Sequence, residues 1–240
     1  MSTAVMVDGA YFLRRFKRAF HGFDHQNPEV VRDCLMWLVQ SQLALSGLVP
    51  PPTSLAAPDK SGAISWAESP ELYRIFFYDC EPLSKKMHYP ISGRAVDLSK
   101  SQPAAFRRSL HAELFAARKV ALRLGRLNDA SFWKLSESAT KRLLKAPFDF
   151  IARDEDFEID VKQKGVDMRL GLDVASMAFK RQVNKMILIA GDADFVPAVK
   201  LARREGLDVI VVSMGESLPS DLSQNVDGIR TFAYMNVVAR

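Results

Sequence analysis

Two carboxylates, Asp192 and Asp194, follow Gly191 directly after the apolar run Met186 to Ala190. A run of that length suits a buried strand. In an open α/β sheet, ligands gather just beyond the carboxyl ends of the strands. Acids placed there are not needed by the core and make a cation site. The start of the chain repeats the arrangement: Ala4 to Val7 is a short apolar run, and Asp8-Gly9 follows. Asp167 opens a helix entered from another strand. In a parallel sheet all four can converge on the carboxyl edge. Four carboxylates brought together are unfavourable without a cation. Mg²⁺ or Mn²⁺ is the fitting ion, because it prefers oxygen ligands and usually retains waters. Such an ion can activate water and stabilise charge on a phosphoryl oxygen.

Each acid also has a simpler reading. Asp8 before Gly9 suits a turn. Asp167 suits the first turn of a helix, where the macrodipole favours an acid. Asp192 and Asp194 suit the cap of the helix that follows. Asp79 and Asp173 are candidates for the shell behind the metal, although Asp173 lies one and two-thirds turns beyond Asp167 and points elsewhere. Tyr11 suits packing better than stacking on a base. Lys162 and Lys164 either hold phosphate or lie in solvent.

The elements that must position these residues are partly legible. Helices are expected over Tyr11 to Phe20 and Glu29 to Ser46, the second opened by Pro28 and closed by Gly47. Residues 50–70 are Pro-rich and read as a loop insertion. Arg74 to Tyr78 reads as a strand with Asp79 after it. Ser84 to Gln102 reads as a polar loop. A helix is expected from Pro103 to about Leu124, and Ser131 to Phe150 stays ambiguous. Then come the strand Phe157–Val161, the turn Lys162–Gly165 and the helix Val166–Arg181. The strand Met186–Ala190, the helix Val196–Glu205, the strand Val209–Val212 and a last strand near Ile229–Phe232 complete the chain. This alternation requires a mainly parallel sheet with helices on its faces.

Composition sets bounds on function. The chain has 240 residues, 48% hydrophobic and 25% charged, and a net charge of +5. No apolar run approaches the roughly 20 residues of a membrane span, and the N-terminal run is too short for a signal peptide. Cys34 and Cys80 suggest neither a disulfide framework nor a zinc site. A cytoplasmic location is expected, with no membrane partner. From Ser84 to Lys145 there are 14 Lys/Arg against 4 Asp/Glu; from Ala146 onward there are 12 against 15. A basic section beside an acidic pocket suits a polyanionic substrate. On the expected helix, Arg107, Arg108, Arg118, Lys119 and Arg123 form a basic face continuing to Arg126, which would track a phosphate backbone.

Three segments together resemble the NYN domain, in its LabA-like branch, within the PIN-like nuclease superfamily. They are Val7-Asp8-Gly9-Ala10-Tyr11-Phe12, Lys162-Gln163-Lys164-Gly165-Val166-Asp167 and Ala190-Gly191-Asp192-Ala193-Asp194-Phe195-Val196-Pro197. The resemblance implies a PIN-like three-layer α/β/α fold and metal-dependent hydrolysis of phosphodiester bonds, in RNA before DNA. It places the acidic pocket on Asp8, Asp167, Asp192 and Asp194. Many relatives carry Asn where this chain has Tyr11, and Ser or Thr where it has Ala190. The expectation is therefore one NYN domain over residues 1–240, with the loop insertion at 50–70 and a basic helical section at 84–145. A homo-oligomer stays open. A non-catalytic binding module that retains the pocket, or a phosphohydrolase of small esters, are the alternatives.

Overall fold

The computed structural model describes residues 2–49, 52, 65–127, 132–161 and 163–232. Most of the Pro-rich 50–70 segment, and Lys162, therefore lie outside the described residues. The chain begins with β1 (Thr3–Asp8), α1 (Gly9–Ala19), α2 (Pro28–Ala44) and β2 (Leu72–Cys80). A short hairpin follows, β3 (Lys86–His88) and β4 (Ala95–Asp97), then α3 (Gln102–Ala116) and β5 (Val120–Leu127). Next come β6 (Phe132–Leu135), α4 (Glu137–Lys145), β7 (Phe157–Asp160) and β8 (Gln163–Lys164). The final part holds α5 (Val166–Phe179), β9 (Lys185–Ile189), α6 (Val196–Arg204), β10 (Asp208–Val212), α7 (Ser220–Gln224) and β11 (Gly228–Arg230).

The central sheet has the order β11-β10-β9-β1-β2-β5-β8. Six strands are parallel, and β8 runs antiparallel to β5 at the edge. Period-two alternation sends Val5 and Val7 into one core with α1, α2 and α3. Ala4 and Met6 go into the other, with α5, α6 and α7. The expected three-layer α/β/α class with a mainly parallel sheet is thus what the chain adopts. The chain passes from β1 to β2 and β5 on one side, then returns to β9, β10 and β11 on the other. Strand order therefore reverses at β1, the position where open α/β sheets place their ligand crevice.

Several local expectations are corrected. The helix expected to reach Leu124 stops at Ala116, and Val120–Leu127 is a strand beside β2. The chain turns between them through Lys119, at φ 59°. The section at 84–145 is consequently mixed: it holds α3 and α4 but also β3, β4, β5 and β6. Phe157–Asp160 does not join the central sheet; it pairs antiparallel with β6 in a separate ribbon. The expected turn at Lys162–Gly165 contains β8.

The proposed basic helical track also dissolves. Arg118 Nε pairs with Glu68 at 3.0 Å. Lys119 Nζ donates to the Ser69 and Leu72 carbonyls, both at 2.7 Å. Arg123 pairs with Asp173 and Arg107 with Asp79. Of the five, only Arg108 is left exposed on α3 without an ion pair among the described residues. These cations are consumed in holding elements together.

Asp79 lies inside β2, not after it, and is fully buried. Its carboxylate accepts hydrogen bonds from Arg107 and from His111 Nε2, the latter at 2.8 Å. Those two residues are one turn apart on α3, so they converge on one point. Burial alone would raise the Asp79 carboxyl pKa, but the His111 hydrogen bond and the Arg107 charge outweigh it and hold it low. A depressed carboxylate stabilises the fold above its ordinary value of 3.8, and that contribution disappears as pH falls through the lower folded value. Asp79→Asn should cost about 3 kcal/mol, because it leaves a buried cation uncompensated. Urea unfolding at pH 7 checks this, and a loss under about 1 kcal/mol would show that Arg107 simply returns to water.

Candidate metal and nucleic-acid site

The carboxyl ends of β1 and β9 meet at the reversal of the sheet. Val7 pairs with Ile189, so the chain beyond each strand emerges side by side. Asp8 is half-buried, and its Oδ1 accepts from the Tyr11 amide at 3.1 Å, capping α1. Asp192 and Asp194 are exposed, and Asp192 Oδ1 accepts from the Asp194 amide at 3.1 Å. The capping reading of Asp8 and Asp192 is therefore true, and each carboxylate keeps further lone pairs to offer.

Asp167 comes from the opposite layer. Gly165 precedes α5 at φ 79°, a left-handed conformation that favours glycine, and no side chain caps the helix. Asp167 then sits exposed in the first turn. Helix α5 is tied to the sheet through Asp173, which accepts from Tyr78 Oη at 2.9 Å and from Arg123 Nε at 2.9 Å. Tyr78 is the register partner of Asp8. Neighbouring residues of a parallel pair point to the same face, so this tether and Asp8 share the α5 side. Asp173 positions the helix that presents Asp167. Asp79, one residue after Tyr78, points to the α3 side instead. It cannot back the acidic site, and its place behind a metal is withdrawn.

The electrostatics connect the four acids. Burial raises the Asp8 carboxyl, the Tyr11 and Ala10 amides oppose this, the Asp167 charge raises it further and Arg14 pulls it back. Burial also raises Asp167, followed by the charges of Asp194 and Asp192. The structure thus brings Asp8, Asp167, Asp192 and Asp194 to one edge within electrostatic reach. It does not close them into a cage: among the described residues no three His, Cys, Asp or Glu side chains form a group that could enclose a metal ion. The donor chemistry, all carboxylate oxygen, fits a hard divalent cation of the kind held by one or two carboxylates and its own waters. It does not fit an ion that demands a complete protein cage.

Tyr11 takes the packing role expected of it, and Arg14 is a site neighbour that the sequence did not show. Tyr11 is buried, its hydroxyl donates to the Ser213 carbonyl, and its phenol is raised to about 12, chiefly by burial and the Glu216 charge. A Cβ on Gly191 would fall 2.3 Å from the Tyr11 ring. The ring therefore packs against the backbone just before Asp192, and only glycine permits that approach. Arg14 lies over the same ring, 5.4 Å from its centroid, and reaches Glu216 at 4.0 Å. Nothing in the spacing of Arg14 announced that its charge is felt at Asp8. Ala190, where many relatives of the resembled family carry a hydroxyl, is fully buried. Lys164 is exposed on β8.

Comparison with known proteins agrees with the motifs. The NYN domain model matches residues 127–232. That span contains Asp167, Asp192 and Asp194, leaves Asp8 outside, and supports a nuclease-type function of the PIN-like kind. Over 125 residues the chain is 23% identical to an uncharacterized protein of Methanocaldococcus jannaschii, covering 52% of this chain and 50% of that protein. The chain thus spans about half the length of the curated relative it matches. A crystal structure of a protein of unknown function from Vibrio parahaemolyticus covers 96% of this chain and 91% of its own, at 15% identity and a TM-score of 0.45.

A raised carboxyl is a strained charge. In the metal-free protein the ionised Asp8 opposes folding at neutral pH. That cost fades as pH falls through the raised folded value towards 3.8. Asp8→Asn keeps an acceptor for the Tyr11 amide and removes the charge. Its melting temperature without metal should exceed the wild type's at pH 7, with the gap closing near pH 4. A lower melting temperature by the same amount at both pH values would show that the cap, not the charge, governs Asp8.

Proposed function

We propose that this chain, whose residues 127–232 match the NYN domain, is a metal-dependent nuclease that hydrolyses phosphodiester bonds, in RNA before DNA. The LabA-like branch is the nearer affinity within that family, on the three motifs. Residues 1–240 act as one catalytic unit in the cytoplasm; among the described residues no helix is long and apolar enough to cross a membrane. The observation that carries this reading is the gathering of Asp8, Asp167, Asp192 and Asp194 at the carboxyl edge where strand order reverses. Carboxylates assembled at a ligand crevice with their charges opposed are prepared for a cation.

Asp8 and Asp167 would hold Mg²⁺ or Mn²⁺, with Asp192 and Asp194 completing the set together with water. The bound ion supplies an acidified water and a stabilising charge for the phosphoryl oxygens. The protein does the rest. Asp167, on the rim, would orient the attacking water. A carboxylate of Asp192 or Asp194 not engaged with the ion would take the proton that water gives up as its oxygen bonds to phosphorus, and solvent would protonate the leaving oxygen as the phosphorus–oxygen bond breaks. Arg14, fixed over Tyr11, is placed to bind a non-bridging phosphate oxygen beside Asp8. No side-chain nucleophile is required.

A second reading has its own support. Because the carboxylates stop short of a closed cage, and Tyr11 and Ala190 serve packing, a non-catalytic nucleic-acid or protein-binding module would share the same framework. Incubating the protein with single- and double-stranded RNA and DNA in Mn²⁺, Mg²⁺ or EDTA separates the two. We expect cleavage of RNA with either ion and none with EDTA. Asp192→Asn keeps the cap acceptor and should lower the rate on the order of a hundredfold, as when a preorganised charge is lost. An inactive wild type across all substrates would favour the binding module. Metal-dependent hydrolysis confined to small phosphate esters would favour a small-substrate phosphohydrolase.

A further inference from the structure

We infer that the groove at the carboxyl ends of β2 and β5 is the track that holds the phosphate backbone of a nucleic-acid strand leading to the acidic site. The inference rests on the nuclease reading and adds the surface that grips the substrate. The groove is a cavity of about 690 Å³, lined by Arg126, Arg169, Lys85, Glu81, Leu124 and Leu127 among others. It opens on the same edge of the sheet as the four aspartates. β5 is two strands from β1, about 10 Å by the usual strand spacing. A strand whose scissile phosphate sits at Asp8 therefore lays its neighbouring phosphates over β2 and β5.

Charge accounting selects this surface. The basic residues from α3 into β5 are mostly neutralised: Arg107 by Asp79, Arg118 by Glu68 and Arg123 by Asp173. Arg126 and Arg169 are exposed and make no ion pair among the described residues. Arg126 also lies opposite the exposed Lys164 in the β5–β8 pairing. Arg169 stands two residues from Asp167 on α5, so cation and carboxylate ride on one rigid element. Leu124 and Leu127 add apolar wall for sugar or base. A groove that is basic, partly apolar and on the same sheet edge as the four acids matches a polyanion of repeating phosphates. The sequence placed Arg126 at the end of a helical face; its true neighbours come from β2, β8 and α5.

The test uses a fluorescent 20-nucleotide single-stranded RNA in EDTA, so that binding is read without cleavage. Arg126→Ala with Arg169→Ala should weaken binding about tenfold or more at moderate salt, and flatten the salt slope by roughly one unit. Arg126→Lys with Arg169→Lys should restore most of the affinity. Lys180→Ala with Lys200→Ala changes net charge equally but lies elsewhere, and should bind within about twofold of wild type. Unchanged melting temperatures show that each variant is folded. The inference is overturned if the groove variant binds as wild type, if the charge-matched control weakens equally, or if the wild type does not bind RNA. Cleavage by the wild type in Mn²⁺ is scored separately. Its absence would sink the nuclease reading, while groove-dependent binding in EDTA would still stand.

Discussion

Parallel pairing at the reversal of the sheet, which gathers carboxylates at one edge, is the constraint around which this molecule is arranged. Parallel pairing of β1 with both β2 and β9 forces the chain to leave β1 and β9 at the same edge. The β1 exit carries Asp8, the β9 exit carries Asp192 and Asp194, and α5 brings a fourth acid, Asp167, to meet them. Such an arrangement costs stability in the absence of a ligand, so the rest of the fold must hold it in place. Asp8 and Asp192 are pinned by backbone amides. Gly191 lies against the Tyr11 ring, which is anchored by its hydroxyl to Ser213. Asp167 is presented by a helix anchored through Asp173 to Tyr78 and Arg123.

Consecutive residues of β2 show how the protein separates structural charge from functional charge. Tyr78 and Asp79 point to opposite faces. On the α3 side, Asp79 meets Arg107 and His111 and is fully satisfied. On the α5 side, Tyr78 satisfies Asp173 with the help of Arg123. Both networks close on themselves. The edge above them is different: exposed acids on one part and exposed arginines on the next, with few partners inside the protein. Charge of both signs thus faces solvent side by side along this edge.

The sequence made much of this legible. Short apolar runs bounded by Asp-Gly or Gly-Asp located β1 and β9, and the βα alternation located α5, α6 and β10. The parallel sheet followed from that alternation. The errors have physical causes. Val120, Leu122 and Leu124 alternate with period two, but Phe106, Leu110 and Leu114 before them repeat with helical period. The turn between is made by Lys119 in a left-handed conformation, without the glycine that would have marked it. Reading one helix through that turn put Arg118, Lys119 and Arg123 on a single face they do not share. Asp79 was placed with the acids because it lies near the end of a strand, yet the alternation of that strand sends it to the other side. Pairwise ion bridges between distant segments, such as Arg123 with Asp173, leave no local pattern to read. That Asp8, Asp167, Asp192 and Asp194 reach one edge was legible because they sit in short motifs at the ends of strands and the start of a helix. The basic groove was not, because its walls come from β2, β5 and α5.

The central claim is that the acidic edge binds a divalent cation through Asp8 and Asp167. The most direct measurement is a titration of Mn²⁺ into the metal-free protein, with free ion read by electron paramagnetic resonance. The account predicts saturable binding in the wild type and at least a tenfold loss of affinity in both Asp8→Asn and Asp167→Asn, with each variant folded. A wild type that binds no Mn²⁺ at millimolar concentration, or variants that bind it as tightly as the wild type, would contradict it.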